Sequence, residues 1–188
     1  GTIHWVHADS AVPVKVRLYE NIIDEEKGVY NEDGSLNLAK VFELAMNGGK
    51  NQAGFQLGLK TRHFLECETF EEVLDSYTAQ MRYFTEIHCM LCRKGQQIRG
   101  ANHAKLVKGI FTDGCLERGL NHDAGGPIYG HGIIETAGLA PLADALMAIK
   151  KLVFEEGRLT FGEFMAILRE NWEGHEPLRQ FVLNKYVY

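Results

Sequence analysis

No apolar run in this sequence approaches the ~20 residues needed to cross a bilayer, so no transmembrane helix is expected. Basic residues form no block and the net charge is −5, which argues against nucleic acid as a partner. Four cysteines scattered over 188 residues do not make a disulfide framework, and reduced thiols in a cytoplasmic setting are expected instead. Proline is equally scarce, with four residues, so little besides glycine interrupts the helical patterns. Position 1 is Gly rather than Met, and no basic start followed by an apolar leader succeeds it. The chain is therefore expected to be cut, processed or incompletely covered at its start. What is present is globular composition, 45% hydrophobic and 24% charged, without internal repeat or low-complexity tract.

Periodicity supplies the elements. Val14, Val16 and Leu18 alternate with Lys15 and Arg17, a half-exposed strand placed at an edge by Pro13. A helix is expected from near Ser35, with Leu38, Val41, Phe42 and Ala45 as its stripe and Gly48-Gly49 as its end. Thr69 and Glu72 read as a capping box opening a longer helix that runs to about Lys94, where Gly95 and Gly100 loosen the chain. Another helix is expected from Asn102 to Leu116, closing at Gly119. Gly125 to Gly138 holds five glycines and a proline and is read as loop. Pro141 suits a helical first turn, with Leu142, Leu146, Ile149, Leu152 and Val153 buried and Gly157 as the stop. Thr160 and Glu163 make a second capping box ahead of Phe164, Ile167, Leu168 and Trp172. Leu178, Phe181 and Val182 mark a last helix.

Gly125-Gly126-Pro127-Ile128-Tyr129, then Gly138-Leu139-Ala140, then Ala143-Asp144-Ala145-Leu146-Met147-Ala148-Ile149-Lys150-Lys151, resembles the Gly-Gly-x-x-Tyr loop and following helix of pyruvate formate-lyase-like glycyl radical enzymes. Asp113-Gly114-Cys115-Leu116-Glu117-Arg118-Gly119 and Asn171-Trp172-Glu173-Gly174-His175-Glu176 are similar to the same family, as is Asn37 to Ala45. The resemblance implies a helix-rich α/β fold, the later part of a ten-stranded β/α barrel. It also implies a glycyl radical on a glycine outside this chain, a small organic substrate, and a separate S-adenosylmethionine-dependent iron–sulfur activating enzyme. A homodimer is compatible with it, and neither membrane nor nucleic acid is implied. In such enzymes the glycyl radical generates a cysteine thiyl, which takes a hydrogen atom from the substrate. The radical-loop pattern Arg-Val-x-Gly-aromatic does not occur in the 188 residues. The family's cysteine loop can be laid on Gly1 to His4, with Thr2 in the cysteine position; alternatively the cysteine lies upstream of Gly1. The piece is thus placed between the catalytic-cysteine loop and the radical loop.

Substrate-pocket candidates follow from that placement. Tyr129, His131 and Glu135 lie on the glycine-rich stretch, where a carboxylate beside a histidine is an acid–base or hydrogen-bonding pair. The plainer reading has Glu135 capping the next helix and His131 at the surface. His4 and Trp5, beside His7, offer an aromatic pocket wall, against an ordinary buried tryptophan with surface histidines. His88, Cys89 and Cys92 fall short of the four ligands a structural zinc takes, so no metal is expected; a helical metal-binding module is the competing reading. Cys115 is read as packing. The Gly-Pro-Ile-Tyr-Gly-His loop, with Gly130 where the family often has Asn, ranks carbon–carbon chemistry (lyase, decarboxylase or fumarate-adding synthase) ahead of diol or amino-alcohol dehydration. With Thr2 as a true replacement, the protein is instead a radical-dead structural homologue.

Overall fold

The computed structural model describes residues 29–30, 34–130 and 133–186. The strand expected at Val14–Leu18 lies outside them. Two units divide the chain: one takes the described residues up to Leu36 together with Phe84–Glu135, the other Asn37–Tyr83 and the described residues from Thr136 onward.

Strand β1 (Leu36–Asn37) runs directly into helix α1 (Leu38–Met46), which belongs to the second unit. Asn37 is the cap: its side chain accepts from Lys40 N at 3.1 Å, satisfying a donor the first turn leaves open. The helix expected from Ser35 thus begins three residues later, because Asn37 holds an extended backbone. Val41, Leu44 and Ala45 are fully buried. Phe64, on a short 3₁₀ turn (Phe64–Glu66), meets Phe42 and Phe161 edge-on at 5.5 and 5.6 Å, and Phe42 meets Tyr77 at 5.7 Å. Such edge-to-face rings add to the burial of their own area. Helix α5 (Leu139–Ile149) packs on α1 and continues as a π-helical turn, Lys150–Glu155, before Gly157 at positive φ. Leu142, Ile149 and Leu152 are buried as their spacing requires, and Leu146 and Val153 are half-buried. Thr160 and Glu163 form the expected reciprocal box, Glu163 N donating to Thr160 Oγ1 at 3.2 Å and Thr160 N to Glu163 Oε2 at 2.8 Å, and open α6 (Phe161–Arg169). Helix α7 (Glu176–Lys185) buries Val182. Hydrogen bonding from the Tyr186 hydroxyl, then from Lys185 and Arg158, holds the Glu156 carboxyl down to about 2. An apolar pocket of about 300 Å³ lies among Phe42, Met46, Ile149, Phe164, Leu168 and Trp172.

Helix α2 (Phe70–Asn102) contributes residues to both units. Glu72 N donates to Thr69 Oγ1 at 3.3 Å, as a cap requires, but the Glu72 carboxylate turns to Glu68 N at 2.7 Å and to Arg62 rather than to Thr69 N. The helix does not stop near Lys94. It passes through Gly95, which is buried, and Gly100, against which the turn at Asp123 sits so closely that a Cβ would stand 2.9 Å from Asp123 O. Gly100 admits neighbouring chain instead of breaking the helix. The single helix expected from Asn102 to Leu116 is two: α3 (Leu106–Ile110) and α4 (Cys115–Arg118), separated where Gly114 takes φ +96° and closed by Gly119 at φ +62°. Among the described residues, β1 pairs with a second two-residue strand, β2 (Thr136–Ala137). The helix-rich character expected of the chain is therefore observed, with no further named strand among those residues.

Candidate functional site

The glycine-rich stretch begins from a knot of short-range contacts in the first unit. Gly114 N donates to Glu117 Oε2 at 2.9 Å, and Ile128 N donates to Asp113 O at 2.9 Å, so the two ends of residues 113–128 are drawn together. A side chain at Gly114 would stand 2.8 Å from Gly126 O and 2.7 Å from Ile128 Cγ1; one at Gly126 would meet Leu120 O and, at 2.7 Å, Cys115 Sγ. Only glycine permits this approach. Cys115 is buried in the knot, the packing role expected of it. Arg118 donates from Nη1 to Gly125 O at 3.3 Å and to Pro127 O at 3.1 Å.

Asn121 ties the knot to the preceding helices. Its Oδ1 accepts from Lys105 N at 3.1 Å, its Nδ2 donates to His103 O at 3.3 Å, and its carbonyl accepts from Gly126 N at 3.1 Å. Asp123, on the adjoining 3₁₀ turn (His122–Ala124), faces Arg99 Nε at 3.5 Å, Lys105 Nζ at 3.3 Å and His122 Nδ1 at 3.3 Å. Burial works to raise the Asp123 carboxyl, but His122, Lys105 and Arg99 outweigh it and hold the group below its ordinary value. Sequence reasoning passed over Arg118, Asn121 and Asp123. The available signal for Asn121 and Asp123 was their position between Gly119 and Gly125, where polar side chains bind backbone in turns.

Of the substrate-pocket candidates, Tyr129 and Glu135 are described. Tyr129 directly follows the knot and its side chain is 89% exposed. Glu135 is exposed, and its carbonyl accepts from Leu36 N at 2.8 Å. Its side chain does not cap α5, whose cap position is Gly138 at φ +85°. The described residues do not enclose these two side chains in a common pocket. His131, His4, Trp5 and the Thr2 position lie outside the described residues. His88 is buried and stacked on Tyr30, centroids 5.4 Å apart, and burial pushes its pKa below the ordinary value. Cys92 Sγ lies 3.4 Å from His88 Nε2, and both Cys89 and Cys92 are exposed. No group of three or more metal-ligating side chains occurs among the described residues, and no helix among them is long and apolar enough to cross a membrane.

The family model described as "Pyruvate formate lyase-like" matches residues 21–188. The chain belongs to the pyruvate formate lyase-like family. The family is one of glycyl radical enzymes, as the resemblance implied. Among its curated relatives, the chain is 32% identical over 158 residues to a (2S)-3-sulfopropanediol dehydratase of Klebsiella oxytoca, covering 81% of this chain and 19% of that protein. It is 29% identical over 169 residues to an isethionate sulfite-lyase of Nitratidesulfovibrio vulgaris, covering 86% and 20%. Among solved structures it is similar to the glycerol-bound B12-independent glycerol dehydratase of Clostridium butyricum, with TM-score 0.75 and 27% identity over 88% of this chain and 20% of that one. The chain thus spans about a fifth of the length of the pyruvate formate lyase-like relatives it matches.

Proposed function

We propose that the complete protein is a glycyl radical enzyme that eliminates a leaving group from a small hydroxylated substrate, a dehydratase or lyase reaction. In this reading the chain supplies helical scaffold and the glycine-rich lip of the substrate pocket. The observation that carries the choice of reaction is the likeness, over four-fifths or more of this chain, to proteins named for elimination from diols and a hydroxysulfonate. Elimination therefore stands ahead of carbon–carbon chemistry here, reversing the order drawn from the Gly-Pro-Ile-Tyr-Gly-His loop.

The glycyl radical, held on a glycine elsewhere in the protein, supplies hydrogen-atom abstraction through a cysteine thiyl. The residues of this chain bind and orient. Tyr129, with a fixed backbone behind it and a free phenol ahead, offers a hydrogen-bond donor and acceptor to a substrate hydroxyl. Glu135 is the carboxylate that accepts a proton as the hydroxyl-bearing carbon becomes a carbonyl. His131, His4 and Trp5 are the further substrate-pocket candidates of this reading. Compact glycine backbone at the lip lets the pocket close tightly on a small ligand and exclude water. A separate S-adenosylmethionine-dependent iron–sulfur enzyme installs the radical, and the assembly works in the cytoplasm.

The test is anaerobic assay of the complete, activated protein with 1,2-diols, 2-hydroxysulfonates and arylacetates. Aldehyde formation from a diol or hydroxysulfonate is expected. Decarboxylation of arylacetates alone restores carbon–carbon chemistry to first place. An open reading frame without a cysteine loop or radical glycine makes the protein a radical-dead homologue.

A further inference from the structure

We infer that Arg118 is a positioning residue: its guanidinium clamps the carbonyls of Gly125 and Pro127 and so sets the backbone from which Tyr129 is presented. The functional half of this inference rests on the pocket-lip reading above.

The geometry is specific. Arg118 ends the single turn of α4, which is held at its start by the Gly114–Glu117 contact and at its end by Gly119. From there Nη1 reaches two carbonyls two residues apart, at 3.3 and 3.1 Å. Two carbonyl oxygens converging on one side of a loop repel each other unless a cation lies between them, and a guanidinium is charged at any physiological pH. On the same turn, the amides of Gly126 and Ile128 point the other way, to Asn121 O and Asp113 O. Carbonyls and amides of residues 125–128 are thus held from both sides, and only glycine at 114 and 126 leaves room for it. The contrast with the next residue is the functional point: the backbone is held up to Ile128, while the Tyr129 side chain is 89% exposed. A rigid base under a free side chain is preorganised for contact, because the ordering cost is met before the ligand arrives.

The experiment uses the complete protein carrying Arg118→Met or Arg118→Lys. Hydrogen exchange of residues 125–130 is followed before activation, with the α6 amides as internal reference. EPR radical content, KM and kcat are measured after activation. In Arg118→Met, exchange at Gly126 and Ile128 is expected to accelerate on the order of tenfold, the loss of charge-assisted hydrogen bonding to two carbonyls. KM should rise by about tenfold with kcat within about threefold of the parent, the pattern of lost ground-state binding. Radical content should be unchanged, and Arg118→Lys, which keeps the charge, should recover part of both effects. Should Arg118→Met not fold, Arg118→Lys alone still reports, by exchange at Gly126 and Ile128 faster than in the parent while the α6 amides are unchanged. Unchanged exchange in the folded variants overturns the clamp. Accelerated exchange with unchanged KM upholds the clamp and overturns the lip reading of Tyr129.

Discussion

Gln80 has no accessible surface, and its amide is spent on residues 59–61: Oε1 accepts from Leu59 N at 3.0 Å, and Nε2 donates to Leu59 O at 2.5 Å and Thr61 Oγ1 at 3.0 Å. Gln80→Leu fills the same space but strips both Leu59 backbone groups of their partner. A loss of about 2–4 kcal/mol is expected, since the desolvation of the orphaned groups is no longer offset. Denaturant melts check it, together with faster exchange of the Leu59 amide. His88 makes a pH prediction at the same scale. Burial favours its neutral form in the folded state, whereas the unfolded chain takes up a proton near the ordinary value of 6.5. The unfolded state therefore binds more protons below that pH, so the contribution of His88 is complete above 6.5 and declines as pH falls beneath it. His88→Gln should flatten the fall in melting temperature as pH is lowered through 6.5, the side on which the downward shift removes stability. An unaltered slope would assign the acid sensitivity to other groups.

At the scale of elements, α2 carries the lesson. A glycine in a helix costs about 1 kcal/mol relative to alanine, and on that basis Gly100 marks a weak point. Its neighbours reverse the argument: the space where a Cβ would sit is occupied by the backbone of Asp123, at 2.9 Å from the carbonyl oxygen. Gly100→Ala should therefore destabilise by about 1–3 kcal/mol despite its better helix propensity, as overpacking does. The displaced turn carries Asp123, so the mutant should also lose the Arg99 and Lys105 contacts to it. Calorimetry compared with Asp123→Asn checks this; a stabilised Gly100→Ala would show that the turn gives way freely. Where the signal was a side chain answering its own backbone three residues on, as at Thr160 and Glu163, the element was legible in advance and begins where expected. Where it hung on a glycine inside a helical pattern, it was not. Gly95 and Gly100 were expected to loosen the chain and instead lie within the helix, Gly100 as a packing contact, while Gly114, inside an expected helix, is the break.

For the molecule as a whole, burial is unevenly shared. Phe64, Leu44, Ile149 and Leu152 are fully enclosed in the second unit, whereas Leu106, Val107, Ile110, Phe111 and Leu116 of the first are each more than half exposed. Apolar side chains so concentrated in sequence favour association when the 188-residue chain stands alone. Sedimentation of the isolated chain should show self-association, and Phe111→Asp with Leu106→Lys should shift it toward monomer. A monodisperse monomer in both cases would mean that this surface is already accommodated.

The family, the helix-rich character, the capping box of Thr160 and Glu163 and the packing role of Cys115 were determined by the sequence alone, because each depends on residue types at short fixed spacing. Tertiary structure decided which glycines break helices, which helical stretch divides in two, and that Arg118 and Asn121 hold the loop below Tyr129. The physical reason is that a glycine or a turn side chain has no fixed meaning of its own. Its effect is set by the backbone that comes to lie against it, and that backbone belongs to another part of the chain.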